Sequence, residues 1–157
     1  MLKSGATPQA DARAELRDAV GQPVGTATFV ETREGVAIVL RVRDLLHGLK
    51  GVHIHEVGRC VGPGFESAAE HFNPHGRAHG LRNPAGPHAG DLPNLVVNES
   101  GRGTLTFTTS LITLKGRADS ILGNDGTAII IHAAPDDETT DPSGHSGGRL
   151  ACGVIAR

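Results

Sequence analysis

Two histidines separated by one residue are the first side chains in the chain that could bind a metal ion together. His53 and His55 flank Ile54 in an apolar segment that predicts a β-strand. Side chains alternate between the two faces of a strand, so both imidazoles point to the same face and can bind one ion. By itself such a pair is more often two exposed histidines on a solvated strand face.

The segment after this strand contains a larger set of potential ligands. Residues 58–91 include three histidines and one carboxylate with suitable chemistry: His71, His79, His88 and Asp91. Three imidazoles with one carboxylate form a complete tetrahedral zinc set of the closed, structural kind. The segment is rich in glycine and proline and shows hardly any apolar periodicity, which predicts a long functional loop that a metal ion could order.

A further histidine, His132, ends the apolar run of residues 128–131. A polar side chain where a buried strand ends needs a partner. Alone, such a residue is more often hydrogen-bonded at the rim of a sheet, so its significance depends on the other histidines.

These side chains must be positioned by a framework of short strands. Runs rich in β-branched residues between glycine-containing turns predict eight of them, at residues 14–20, 24–32, 36–42, 52–57, 92–97, 103–109, 127–133 and 151–155. No segment predicts a convincing helix. Two long loops remain, a metal loop at about 58–91 and a Gly-, Asp- and Ser-rich loop at about 133–149. This pattern favours an all-β fold, an eight-stranded Greek-key β-barrel or sandwich, as one domain at residues 14–157 after a flexible lead-in at residues 1–13.

Composition narrows the class of partner. The 157 residues carry a formal net charge of -2, which lacks the basic excess typical of nucleic-acid-binding proteins. No apolar run approaches the roughly 18 to 20 residues needed to span a membrane, and no signal peptide is visible in the chain. The chain contains nine histidines, more than a generic β-sandwich needs, whereas Phe, Trp and Tyr together make up only 3% of the residues. We therefore expect a small partner, with no nucleic acid and no membrane span.

The only two cysteines, Cys60 and Cys152, lie far apart in the sequence. Counting alone leaves open whether they form a disulfide or remain two buried thiols. A disulfide would close a long loop, for which chain-entropy reasoning gives about 4 to 5 kcal/mol at the upper end. It would also imply an oxidising compartment.

Four short motifs occur together and in a family's order. They are GVHIHE at 51–56, HFNP at 71–74 followed by His79 and Gly80, GPHAGDL at 86–92, and GRLACGV at 148–154. On these motifs the chain resembles the copper-zinc superoxide dismutase family, in its bacterial type, from about residue 14 to the C-terminus. The loop ligands also keep the family's spacing.

The resemblance implies one copper ion and one zinc ion per chain. It implies copper bound by His53, His55, His71 and His132, and zinc bound by His71, His79, His88 and Asp91. His71 would serve both metals, because imidazole has two ring nitrogens and can bridge two cations. Four nitrogens suit tetragonal Cu(II), whereas three nitrogens and a carboxylate suit tetrahedral zinc.

The resemblance also implies roles around the metals. Arg149 matches the active-site arginine that docks the substrate anion, superoxide, and Asp136 matches the carboxylate that holds one copper ligand and one zinc ligand, here His53 and His79. Cys60 and Cys152 occupy the family's disulfide positions. The implied reaction converts two superoxide anions to oxygen and hydrogen peroxide by Cu(II)/Cu(I) cycling, with His71 and Arg149 as the catalytic residues.

Alternatives remain at this point. A noncatalytic copper- and zinc-binding homologue, used for metal buffering or structure, could keep the zinc loop while losing redox function. The implied disulfide favours an extracytoplasmic site, in the periplasm, at the cell envelope or secreted. Oligomeric state is open, with a homodimer favoured.

Overall fold

Nine short strands form the framework in the computed structural model, which describes residues 10–115 and 117–157. They are β1 (Ala12–Asp18), β2 (Pro23–Thr32), β3 (Gly35–Val42), β4 (Gly48–Lys50), β5 (Val52–His55), β6 (Leu95–Val97), β7 (Gly103–Thr109), β8 (Thr127–His132) and β9 (Arg149–Ile155). The one helical element in these residues is a 3-10 turn at Glu66–Ala68. The fold is all-β, as expected.

Two antiparallel sheets contain these strands. Seven strands pair in the order β5-β8-β9-β1-β2-β3-β7, and β4 pairs with β6 in a separate small sheet. All eight predicted strands are present, and β4 is a ninth. Its three residues Gly48–Lys50 are too few for a periodic pattern, and they become a strand only by pairing with Leu95–Val97.

Strand ends differ from the predicted positions where local hydrogen bonds decide them. Strand β1 begins at Ala12 because Ala12 and Arg13 pair with β2, so these two residues are not part of a flexible lead-in. Residues 10 and 11 are described and precede the strand, whereas residues 1–9 of the predicted lead-in lie outside the described residues. Strand β1 ends at Asp18, whose carboxylate accepts hydrogen bonds from the backbone N–H groups of Val20 and Gln22 and closes a turn.

Alternating burial builds one main core between the sheet faces. In β3, for example, Val36, Ile38, Leu40 and Val42 are buried while the intervening residues are partly or fully exposed. Strand β8 departs from this pattern, because all six of its residues are buried. Its Ile129 and Ile131 join the main core, whereas Ala128 and Ile130 pack against a second cluster that includes Phe65 and Cys152.

The second cluster shows that the metal loop covers the outer face of β8. Strand β5 is likewise buried on both faces, with Val52 and Ile54 in the main core and the two histidines on the other face. Among the described residues, no helix is long and apolar enough to cross a membrane.

Candidate metal centre

Paired strands hold three of the predicted ligands. His53 pairs with Ile130 and His55 with Ala128 in the β5-β8 ladder, which fixes both imidazoles on the face away from the main core. His132 ends β8 at a register shift and pairs with Arg149 of β9. Together with His71, these three histidines each offer a nitrogen within 4.8 Å of the others.

Backbone hydrogen bonds join the metal loop to β5 at two points. The N–H of Phe72 donates to the carbonyl of Ile54 at 2.8 Å, and the N–H of Ile54 donates to the carbonyl of Gly90 at 2.8 Å. The N–H of Gly90 donates in turn to Phe72 at 2.9 Å. These bonds bring His71 and Asp91, which adjoin the bonded residues, against the strand that carries His53 and His55.

The four loop residues predicted for zinc converge on one small volume. Oδ1 of Asp91 lies 3.0 Å from Nδ1 of His79, 3.3 Å from Nδ1 of His71 and 3.5 Å from Nδ1 of His88. Nδ1 of His71 and Nδ1 of His88 are 3.0 Å apart. A tetrahedral zinc ion with bonds of about 2.0–2.1 Å separates its ligand atoms by about 3.3 Å. The measured separations therefore fit a tetrahedral site.

The carboxylate of Asp91 is oriented by the backbone of the same loop. Its Oδ2 accepts hydrogen bonds from the N–H groups of Gly80 and His88, both at 2.9 Å. Oδ1 therefore faces the three imidazoles and is left for an ion. His53 also lies within 4.8 Å of this cluster, but its Nε2 is engaged elsewhere.

The strand group consists of His53, His55 and His132. Each of these imidazoles has one nitrogen that is hydrogen-bonded and one that is free. Nδ1 of His55 donates to the carbonyl of Ala69 at 2.8 Å, and Nδ1 of His132 donates to that of Gly147 at 3.2 Å. Nε2 of His53 donates to the carboxylate of Asp136 at 2.7 Å. Such bonds fix the tautomer and aim the other nitrogen's lone pair.

The free atoms provide a direct test of fit to metals. Among the described residues, five buried side-chain atoms have no hydrogen-bond partner: His53 Nδ1, His55 Nε2, His79 Nδ1, Asp91 Oδ1 and His132 Nε2. Unpaired buried polar atoms are costly and rare. All five belong to the residues of the two clusters, so the residues present fit metal ions, which would satisfy these lone pairs.

Asp136 links the two clusters through a single carboxylate. Its Oδ2 accepts from His53 and its Oδ1 accepts from Nε2 of His79 at 2.8 Å. These are the two histidines with which the resemblance pairs it. Asn94 holds Asp136 in turn, donating from Nδ2 to the Asp136 carbonyl at 2.9 Å and accepting the Asp136 N–H at 2.8 Å.

Burial sets the protonation of the strand group. It lowers the pKa of His53 to about 3, of His55 to about 2 and of His132 to about 4, with neighbouring histidines adding to the shift. The pKa of His71 is also lowered, mainly by burial. These imidazoles are therefore neutral near pH 7, the form in which a ring nitrogen can bind a metal.

The loop cluster, formed by His71, His79, His88 and Asp91, differs from the strand group because carboxylates offset the effect of burial. Burial opposes charge on His79, but the carboxylates of Asp136 and Asp91 outweigh it and raise the pKa of His79 to about 9. Burial likewise opposes charge on both carboxylates, yet hydrogen bonds from the histidines hold the pKa values of Asp91 and Asp136 well below the usual range. The loop cluster thus places anionic oxygen beside the imidazoles, as a dication requires.

Arg149 lies at the start of β9 and is held by two backbone carbonyls. Nη1 donates to the carbonyl of Phe65 at 2.9 Å, and Nη2 donates to that of Ala69 at 2.6 Å. Ala69 also accepts from His55, so one carbonyl connects the guanidinium to the strand group. Cys60 and Cys152 form a disulfide with a Cα–Cα separation of 5.7 Å, which fastens this part of the loop to β9.

Sequence reasoning did not identify several residues that position the centre. Asn94 holds Asp136, and Asp141 accepts the N–H of His79 through Oδ1 at 2.6 Å. Gly144 has φ +67, and a Cβ there would collide with the Asp136 carboxylate. The carbonyls of Phe65, Ala69 and Gly147 carry no signal in side-chain chemistry. Only the glycine and acid content of the second loop hinted at such roles.

Fold and site together define an all-β protein with two overlapping groups of potential metal ligands, which have His53 and His71 in common. Residues 23–155 match the family described as copper/zinc superoxide dismutase (SODC). The chain belongs to this family, whose members are oxidoreductases, and its histidine groups suit copper and zinc as cofactors.

Individual relatives agree with this assignment. The chain is 45% identical over 146 residues to "Superoxide dismutase [Cu-Zn] 2" of Aquifex aeolicus, covering 92% of this chain and 85% of the relative. It is similar to the crystal structure of a SOD-like protein from Bacillus subtilis, with TM-score 0.86, 42% identity and coverage of 90% and 96% of the two chains. The Cu/Zn superoxide dismutase from Brucella abortus aligns with TM-score 0.75, 27% identity and coverage of 93% and 100%.

Proposed function

We propose that this protein converts two superoxide anions and two protons to oxygen and hydrogen peroxide. The observation that carries the proposal is the pair of adjoining clusters with His71 in common, beside a guanidinium held at Arg149. A zinc-binding structural protein would require only the loop cluster. The strand cluster, with its three free and neutral nitrogens, is an additional site suited to a redox-active ion.

Copper would be held by His53, His55, His71 and His132, and zinc by His71, His79, His88 and Asp91. The loop set includes His88 rather than His53, since Nε2 of His53 is used by Asp136 and its free Nδ1 belongs with the strand group. Nδ1 of His71 lies beside Asp91 and His88, so this nitrogen would face zinc and Nε2 would remain for copper. His71 would thus serve both ions.

Bound copper would supply the one-electron chemistry of the reaction. His71 would handle one of the two protons: a ring nitrogen that no cation holds can take up a proton from solvent and give it to the departing peroxide, and solvent would supply the second proton. A cation at the other ring nitrogen would keep the ring in place and lower its basicity. His71 therefore couples proton transfer to electron transfer.

Arg149 docks the substrate. Its guanidinium is oriented by the Phe65 and Ala69 carbonyls, and its positive charge with the remaining N–H groups attracts a small anion beside the strand cluster. Asp136 acts through other residues: it holds one ligand of each metal in the required tautomer.

Metal analysis paired with an activity assay tests the proposal. The purified protein, loaded with both metals, should contain one copper and one zinc per chain and should dismute superoxide in a cyanide-sensitive manner. Removal of copper should abolish activity and its restoration should return it. Binding of zinc alone, with no activity after copper is supplied, would establish the noncatalytic copper/zinc-binding homologue instead.

We propose an extracytoplasmic location, in the periplasm, at the cell envelope or secreted. The disulfide between Cys60 and Cys152 supports it, because such bonds persist in oxidising compartments. Fractionation of the native host with an antibody to the protein tests this, and recovery in the cytoplasm would refute it.

We also propose a homodimer. Leu49 and Val96 face each other across the β4-β6 pair and are 47% and 62% exposed, and the neighbouring Leu46 is 75% exposed. Exposed apolar side chains grouped on a sheet can form a two-fold interface. Light scattering during size-exclusion chromatography should give twice the chain mass, and Leu49→Lys should give the monomer mass. A monomeric wild-type protein would refute the dimer.

A further inference from the structure

A groove of about 660 Å³ lies on the outer face of the sheet, away from the metal clusters. Its lining is cationic and polar, with three arginines, two threonines and an asparagine: Arg41, Arg43, Arg102, Thr26, Thr104 and Asn98. No acidic residue is among the groove's lining residues. Sites of 300–1,000 Å³ accommodate small molecules. In a chain with net charge -2, this groove is a local concentration of positive charge.

Strand register explains why these side chains share one face. Thr26 of β2 pairs with Arg41 of β3, and Arg41 pairs with Thr104 of β7, so the three form a row across the sheet. Arg43 directly follows β3 and Arg102 directly precedes β7, and both line the same groove as this row. The flanking Leu40 and Leu105 are buried on the opposite face.

The small sheet forms the wall of the groove. Val96 of β6 lies over the start of β7, where Gly103 allows the backbones to approach closely, because a Cβ at this position would collide with the Val96 carbonyl. The approach leaves a concave surface between Val96 and the arginine row. A flat sheet face would offer no such enclosure for a ligand.

The three guanidinium groups are weakly compensated by the protein. Nε of Arg43 lies 4.0 Å from Oδ2 of Asp44, with both side chains at least half exposed, and such pairs contribute little. Across the described residues, Arg41 and Arg102 form no ion pair with a carboxylate. The side chains of Thr26 and Thr104 add hydroxyl donors to the lining.

From this arrangement we propose that the groove binds a small polyanion carrying two or more sulfate or phosphate groups. Guanidinium forms paired, charge-assisted hydrogen bonds with tetrahedral oxyanions, and three guanidinium groups on one concave face favour several such groups in one molecule over a single ion. The metal ligands on β5 and β8 lie at the other end of the seven-stranded order from β3 and β7. None of the proposed metal ligands lines the groove, so binding there should leave dismutation unchanged.

Sucrose octasulfate is a suitable probe, because it presents several sulfate groups and competes weakly for metals. Isothermal titration calorimetry with the metal-loaded full chain, at about 150 mM NaCl to screen non-specific attraction, measures its affinity. Sodium sulfate at matched sulfate concentration serves as the single-ion comparison. Vesicles of phosphatidylglycerol or of phosphatidylcholine distinguish a soluble polyanion from an anionic membrane surface.

The matched variants remove the same number of charges. The triple substitution Arg41→Gln, Arg43→Gln and Arg102→Gln should raise the dissociation constant by roughly tenfold or more. The control substitution Arg13→Gln, Arg33→Gln and Arg117→Gln, at exposed arginines elsewhere, should leave it within about twofold. Metal content, melting temperature and dismutase activity should be unchanged in both, which establishes that each variant is folded.

Four results would overturn the proposal. They are absence of binding by the wild-type chain, an equal loss of affinity in the control variant, binding of sulfate as tight as that of sucrose octasulfate, and binding to phosphatidylglycerol vesicles without binding of the soluble probe. The last result would assign the groove to a membrane surface.

Discussion

The two histidine clusters adjoin each other, yet the chain builds them in different ways. His53, His55 and His132 project from paired strands, so the backbone ladder of β5 and β8 sets their spacing. His71, His79, His88 and Asp91 lie in a long loop whose few backbone bonds to β5 leave most of its shape to turns, side chains and the disulfide. The strand cluster is therefore held in place by the sheet and its core, whereas the loop cluster depends on the bonds within its own loop.

The electrostatics follow the same division. Burial keeps the strand histidines neutral. The free atoms of these three side chains are all nitrogens, so this site suits an ion that binds nitrogen lone pairs. The loop cluster contains Asp91 and is held by Asp136. Because of this difference, a substitution in one cluster should remove the metal ion there and leave the other cluster able to bind its own.

The largest expected effect is on the strand cluster. His132→Ala removes a proposed copper ligand, so dismutase activity should be lost almost completely while zinc stays at one per chain and the melting temperature changes little. Elemental analysis and a superoxide assay measure this. His47→Ala, at an exposed histidine, should be silent. Loss of zinc together with copper would show that the clusters are not independent.

The next effect is on the loop cluster. Asp91→Ala leaves three buried imidazoles without their carboxylate, so zinc should be lost and the free energy of unfolding should fall by about 3–5 kcal/mol. Denaturant unfolding of the metal-loaded protein gives the value. Asp125→Ala, at an exposed carboxylate, is the control. If zinc content stays at one per chain, Asp91 is not a ligand.

Removal of the disulfide should loosen the loop without touching either set of ligands. The double substitution Cys60→Ala and Cys152→Ala should lower the free energy of unfolding by about 2–4 kcal/mol, and KM should rise because Phe65 and Ala69 hold Arg149. Wild-type protein reduced with a phosphine should behave alike. Unaltered KM in both samples would mean that the carbonyls keep Arg149 in place unaided.

The smallest expected effect is on the carboxylate that joins the clusters. Asp136→Asn should weaken binding of both metals by about 10- to 100-fold, measured by competition with a chelator. Asp137→Asn supplies the control at a half-exposed neighbour whose carboxylate contacts no predicted ligand. A change in zinc affinity alone would indicate that His53 keeps its orientation without Asp136.

The sequence predicts the strands better than the contacts between loops, for a physical reason. The alternation in β3 is local, so residues 36–42 predict nearly the whole of Gly35–Val42. Residues 92–97 also predict a strand, but Leu92 is joined to Val52 by a single backbone bond and only Leu95–Val97 pair with β4. That outcome depends on a partner strand distant in sequence.

The candidate site divides in the same way. Histidines and Asp91 are visible in the sequence because their side chains carry the chemistry, and the family spacing groups them. Asn94 and the carbonyls of Phe65, Ala69 and Gly147 are invisible by comparison, because their function depends on where the backbone runs. No residue type distinguishes a carbonyl that binds Arg149 from one that faces water.

The carbonyl of Ala69 has a consequence for how this protein tolerates mutation. It accepts from both His55 and Arg149, and no side-chain substitution can delete it. The residue has φ 62 and ψ -141, a conformation that glycine adopts readily and that a residue with a Cβ, above all a β-branched one, resists. An alanine scan leaves this position untouched, so its importance would go unnoticed. Substitutions at position 69 are therefore limited by the backbone conformation of the residue and not by the chemistry of its side chain.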